Sequence, residues 1–166
     1  EAALTVLERS TAGFALMVEG GAVDWGAHAN DMDWTLGELL DFNHAVAAVV
    51  DWVDDPTNAS TWDNTLVVVT GDHETGYLTA APGVFPDQPL APGSVNDVTL
   101  ALEKVNLNNG RRASWVDDNP PNDRVDPGET VYWAWNSGGH ANTLIPIFAR
   151  GVGSERLDQL AVDVDP

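Results

Sequence analysis

Two short, unbroken apolar runs constrain the fold of this chain more than any other feature: Phe14-Ala15-Leu16-Met17-Val18 and Thr65-Leu66-Val67-Val68-Val69-Thr70. Each stops at glycine, at Gly20-Gly21 and at Gly71, in the manner of strands buried on both faces. Between them Leu36, Leu39, Leu40, Val46, Val49, Val50 and Val53 share one stripe at helical spacing over residues 33–53, closed by Asp54-Asp55-Pro56. Strand, long amphipathic helix and strand in this order predict the crossover unit of a parallel sheet, hence an α/β fold. Residues 2–9 read as the last turns of a helix with no capping residue before them, so the chain is expected to begin inside an element. Two further strands are expected at Val131–Trp135 and Leu144–Ala149, with Pro146 at an edge or bulge. Residues 81–130, rich in Pro, Asp and Asn, read as an irregular acidic excursion holding at most a short helix around Asn96–Val105.

The 166 residues suit one globular unit, and 43% apolar with 20% charged residues is ordinary globular usage. Charge is less ordinary. Twenty-six acidic side chains against seven Lys and Arg give −19, which repels a nucleic-acid backbone and anionic lipid alike. No apolar run reaches the roughly 18–20 residues that cross a bilayer, and Glu1-Ala2-Ala3-Leu4-Thr5 carries no signal-peptide pattern. With no cysteine, any metal must be held by histidine and carboxylate. Asn58-Ala59-Ser60 matches a glycosylation sequon.

Three places combine a strand end, glycines and metal-type ligands: Glu19 to His28, Gly71-Asp72-His73 and Gly138-Gly139-His140. In open α/β sheets the ligand crevice lies beyond the carboxyl ends of the strands. Asp24 and His28 are four apart, so on one helical turn they point to one spot and can share a cation, with His140 as the candidate third ligand. The adjacent Asp72 and His73 can reach one ion only from a sharp turn, which Gly71 and Gly76 permit; they are candidates for a second metal. Glu19, an oxygen donor, suits magnesium better than zinc. His44, inside the helical stripe, has no acidic residue four away and is expected to be a packed or surface histidine.

These same residues carry a family resemblance. Val18 to Asp31, Val69 to Gly76 and Ser137 to Thr143 resemble, in order and spacing, the C-terminal half of a bacterial alkaline phosphatase. The resemblance implies a three-layer α/β sandwich with a mostly parallel central sheet flanked by helices, of which residues 1–166 form the C-terminal portion. It implies that Asp24, His28 and His140 bind a first zinc, Asp72 and His73 a second, and Glu19 a magnesium. Trp25 stands where the family places an aromatic, lysine or histidine side chain, which implies a role in the metal and phosphate surroundings; a packing tryptophan is the alternative. The implied activity is hydrolysis of a phosphate monoester through a phosphoserine, in the periplasm or outside the cell. The implied partners are that substrate, the N-terminal half of the same enzyme, and a second copy of the chain.

The family's nucleophilic serine is not recognisable: Ser10, Ser60, Ser94, Ser114, Ser137 and Ser154 all lack its Asp-Ser-Ala setting, so no catalytic nucleophile is expected within this chain. Arg111-Arg112 lies in the excursion and reads as a surface pair rather than as the family's phosphate-binding arginine. Two other functions fit part of the pattern. One is a phosphodiesterase, sulfatase or mutase of the wider superfamily, against which Glu19 argues. The other is a non-catalytic extracellular calcium module, supported by the charge and by the acidic stretch Asp117 to Asp126, which lacks EF-hand spacing.

Overall fold

A computed structural model describes residues 1–81, 104–106, 110–118 and 121–160. The helices are α1 (Ala2–Leu7), α2 (Ala22–His28), α3 (Met32–Asp54) and α4 (Glu155–Leu160). The strands are β1 (Leu66–Thr70), β2 (Glu74–Thr75), β3 (Leu78–Ala80), β4 (Lys104–Asn106), β5 (Arg111–Trp115), β6 (Val131–Trp135), β7 (His140–Ala141) and β8 (Ile147–Gly151). They divide between two compact units, one of Glu1–Glu19, His44–Asp72 and Ile145–Pro166, the other of Gly20–Asn43 and His73–Leu144. Helix α3 contributes to both. Among the described residues no helix is long and apolar enough to cross a membrane.

In the first unit β1 pairs antiparallel with β8, from Leu66 opposite Gly151 to Thr70 opposite Ile147. The second apolar run is therefore the strand its branched residues demand. The first is not: Phe14–Val18 forms no strand, and Met17 and Val18 are 87% and 55% exposed. A strand apolar on both faces needs neighbours to cover it, and no described strand pairs with this one. The expected parallel crossover is thus not formed, and every ladder between described strands is antiparallel. Pro146 lies just outside β8, its carbonyl accepting from Thr70 Oγ1 at 3.1 Å.

Glu8, capping the end of α1, accepts from Ala59 N, Ser60 N and Ser60 Oγ through one oxygen at 2.9, 3.1 and 3.2 Å. The Asn58 amide of the sequon donates to Trp52 O at 2.8 Å, and Ser60 is buried, so both side chains serve the turn. The backbone and hydroxyl of Thr57 hold the Asp55 carboxyl below its ordinary value. Arg150 lies over the Trp62 ring at 3.9 Å.

In the second unit Asp31 caps α3, its Oδ1 accepting from Trp34 N at 3.0 Å. Strand β6 alternates, sending Trp133 and Trp135 inward to pack with Ala27, Met32, Leu36 and Leu78. It sits inside a four-stranded sheet ordered β3-β6-β5-β4.

The supposed excursion therefore supplies two strands. β5 is central, with Ala113, Ser114 and Trp115 all buried. Its polar-first sequence, Arg-Arg-Ala-Ser-Trp, carries little strand signal by itself; β6 on one side and β4 on the other select it. Arg111-Arg112 is accordingly no surface pair: Arg111 Nη1 donates to Asn30 Oδ1 at 2.9 Å and Arg112 Nη1 meets Asp31 Oδ2 at 3.1 Å. Of the helix expected at Asn96–Val105, residues 104 and 105 lie in β4 and 96–103 fall outside the described residues. In the acidic stretch Asp117 accepts from Asn122 N and Asp123 N, both at 3.0 Å, so its carboxylate closes a turn.

Candidate metal centre

Helix α2 carries Asp24 and His28 one turn apart, and His28 Nε2 stands 3.4 Å from Asp24 Oδ2. The two-residue ladder of β2 with β7 sets Thr75 opposite His140. That pairing brings His140 to the same point, with Nε2 at 3.2 Å from His28 Nε2 and 3.7 Å from Asp24 Oδ1. His73, just before β2, stacks on His140 with ring centroids 3.4 Å apart. One ligand atom from each of Asp24, His73 and His140 lies within 4.8 Å of the others.

The chemistry of this set suits a metal ion. His28 Nδ1 is 2.7 Å from Gly138 O, which can only accept, so Nδ1 carries a proton and Nε2 is the ring nitrogen that faces the Asp24 carboxylate and His140 Nε2. Donor atoms gathered in this way can share one cation. Imidazole nitrogens and a carboxylate are the donors zinc takes when thiolate is absent, and three protein ligands leave a position open. Side chains of Asp24, His28 and His140 are 33%, 39% and 49% exposed, so water or substrate can reach them.

Asp24, His28 and His140 thus meet as the sequence pattern expects, and His73, which the pattern assigns to a second ion, meets them too. Asp72 and Glu19 belong to the first unit, where both are exposed. Trp25 is 63% exposed. His44 is exposed on α3.

Sequence reasoning missed Thr75. Its Oγ1 donates to Asp24 Oδ1 at 2.6 Å and lies 3.1 Å from His73 Nδ1. A hydroxyl has one proton; with that given to the carboxylate, Oγ1 accepts from His73 Nδ1–H and fixes the ring beside Asp24. One side chain so orients two candidate ligands, and its own backbone pairs with a third. The available signal was position: residues two apart on a strand point to the same side, and Thr75 is two after His73. Thr75→Val, nearly isosteric, is expected to weaken zinc binding about 10- to 100-fold in a chelator competition while Thr75→Ser restores most of it.

The alkaline phosphatase family model matches residues 1–162, and the chain belongs to that family. Alkaline phosphatase 3 of Bacillus subtilis (strain 168) is 29% identical over 182 residues, covering 92% of this chain and 38% of its own length. Streptomycin-6-phosphate phosphatase of Streptomyces griseus is 46% identical over 61 residues, 37% of this chain and 12% of that protein. Among solved structures, a variant of TAB5 alkaline phosphatase with Mg bound in its M3 site superposes with a TM-score of 0.59 at 29% identity, over 92% of this chain and 33% of that one. The fold is therefore alkaline phosphatase-like, and the chain spans well under half the length of these relatives.

Proposed function

We propose that this chain is the metal-bearing portion of an alkaline phosphatase that hydrolyses phosphate monoesters through a phosphoserine, the serine coming from a polypeptide portion outside these 166 residues. The observation that carries the reading is the convergence of Asp24, His28, His73 and His140 in a member of this family. Asp24, His28 and His140 would hold the first zinc, Asp72 and His73 the second, and Glu19 a magnesium. Bound there, the two zincs would supply Lewis-acid stabilisation of the attacking and leaving oxygens.

The chain's own residues prepare that chemistry. Gly138 O and Thr75 Oγ1 hold the imidazoles of His28 and His73 by their Nδ1 atoms, so that Nε2 is the nitrogen each would offer to a metal. Trp25, exposed one residue after Asp24, offers an apolar wall to the organic part of the ester. Ser60 Oγ donates to the Glu8 carboxylate and Ser137 Oγ to Gly139 O, so these two hydroxyl protons are engaged. The named substrate class of the Streptomyces relative, a phosphate ester, accords with this reading. So do the apolar residues left open on the β1–β8 ribbon, Leu66, Val68, Ile147 and Phe148, which the rest of a larger enzyme would cover. The proposal extends to action in the periplasm or outside the cell, and to a second copy of the chain as partner.

The test is substrate profiling of the intact protein under chelation. Phosphate monoesters are expected to turn over, activity to fall with a chelator and to return with zinc. Preferential turnover of diesters or sulfate esters would move the enzyme to another branch of the superfamily; calcium uptake without zinc would leave only the binding-module reading.

A further inference from the structure

Asn30 is a polar residue with 3% of its surface exposed, in the left-handed region at φ 53, directly after the helix that bears Asp24 and His28. Its amide is fully engaged. Nδ2 donates to Ala27 O at 3.0 Å and to Ser137 O at 2.7 Å, and Oδ1 accepts from Arg111 Nη1 at 2.9 Å. The Arg111 guanidinium in turn lies against Gly138, close enough that a Cβ there would collide with it. Gly138 is the residue whose carbonyl orients His28, and the same loop leads into His140.

We infer that Asn30 and Arg111 are a positioning pair for the metal centre. Together they clamp the Ser137–Gly139 loop to the end of α2, and the clamp sets how far His140 stands from His28. Neither residue touches the reacting atoms. The physical ground is that a buried amide between two carbonyls and a guanidinium is rigid only when every bond is made; removing one partner leaves buried groups unsatisfied and frees the loop. Arginine suits the role because its guanidinium bonds the amide through Nη1 while packing against a glycine, where any side chain would intrude. Strand β5 thereby gains a function beyond completing the sheet: it holds the loop that carries a ligand.

The inference rests on the phosphatase reading and is tested on the intact protein by zinc affinity, through chelator competition, and by the visible spectrum of the cobalt-substituted form. Three variants are informative. Asn30→Gly keeps the left-handed backbone without strain while deleting the amide. Arg111→Ala removes the fork, and Arg111→Lys keeps one donor. Asn30→Gly and Arg111→Ala are expected to bind zinc about 10- to 100-fold more weakly and to shift the cobalt absorption, with Arg111→Lys recovering part of both. Near-ultraviolet circular dichroism from the buried tryptophans reports folding. Folded variants with wild-type zinc affinity and cobalt spectrum overturn the inference. So does loss of the tryptophan signal in the two deleting variants alongside wild-type values in Arg111→Lys, which assigns the pair to folding alone. A wild-type protein that takes up no zinc overturns the phosphatase reading itself, and the inference with it.

Discussion

Asp24→Ala in the intact protein is expected to lower kcat/KM for a phosphate monoester by about a thousandfold or more, equivalent to roughly 4 kcal/mol of transition-state stabilisation, with loss of bound zinc. Asp24 is the point on which the centre converges: Thr75 Oγ1 donates to one carboxylate oxygen, His28 approaches the other, and His140 stands 3.7 Å from the first. Removing the carboxylate deletes the sole negative charge of the Asp24, His73 and His140 cluster and releases Thr75, whose hydroxyl orients His73. Asp24→Asn separates the two effects. It keeps an oxygen for Thr75 but no charge, so it is expected to retain the fold and still lose zinc. Metal content by atomic absorption beside steady-state kinetics decides the matter; full zinc with activity within tenfold of wild type would sink the assignment.

The second large effect concerns a residue with no chemistry. Gly76→Ala is expected to destabilise the unit that carries the centre by about 3 kcal/mol or more, a large share of the stability of an ordinary domain. Gly76 has φ +92, a conformation that costs a residue with a side chain about 1–3 kcal/mol. A Cβ there would also collide with the Trp135 ring and come within 3.1 Å of Ala27 O, and relieving such overpacking costs about 1–3 kcal/mol more. The ring cannot swing away, because Trp135 is 2% exposed in the core against α2. Strand β2 precedes Gly76 directly, so displacement there also disturbs the Thr75–His140 pairing. Urea unfolding followed by tryptophan fluorescence measures the effect; a midpoint equal to wild type would show that the backbone relaxes around the methyl group.

The legibility of this molecule in its sequence was uneven for a physical reason. Helix α3 and strand β1 were visible because each is specified by its own residues: a helical apolar stripe closed by Asp54-Asp55-Pro56 in one, a branched run ending at glycine in the other. Phe14–Val18 has an equally strong strand pattern and forms none, because a ladder requires a partner as well as a propensity. β5 is the converse, a weak pattern made into a central strand by its neighbours.

The centre divides along the same line. Residue types, glycine placement and the four-residue step from Asp24 to His28 are local properties, so the sequence by itself determined the family, the donor chemistry and three residues that meet, Asp24, His28 and His140. Which other side chains join them depended on contacts between segments far apart in the chain. Only the tertiary structure decided that His73 stacks on His140, that Thr75 bridges Asp24 and His73, and that Arg111 reaches Asn30. The β2–β7 ladder and the four-stranded sheet create those encounters, and a pairing partner far along the chain leaves no periodic trace in the segment it will meet.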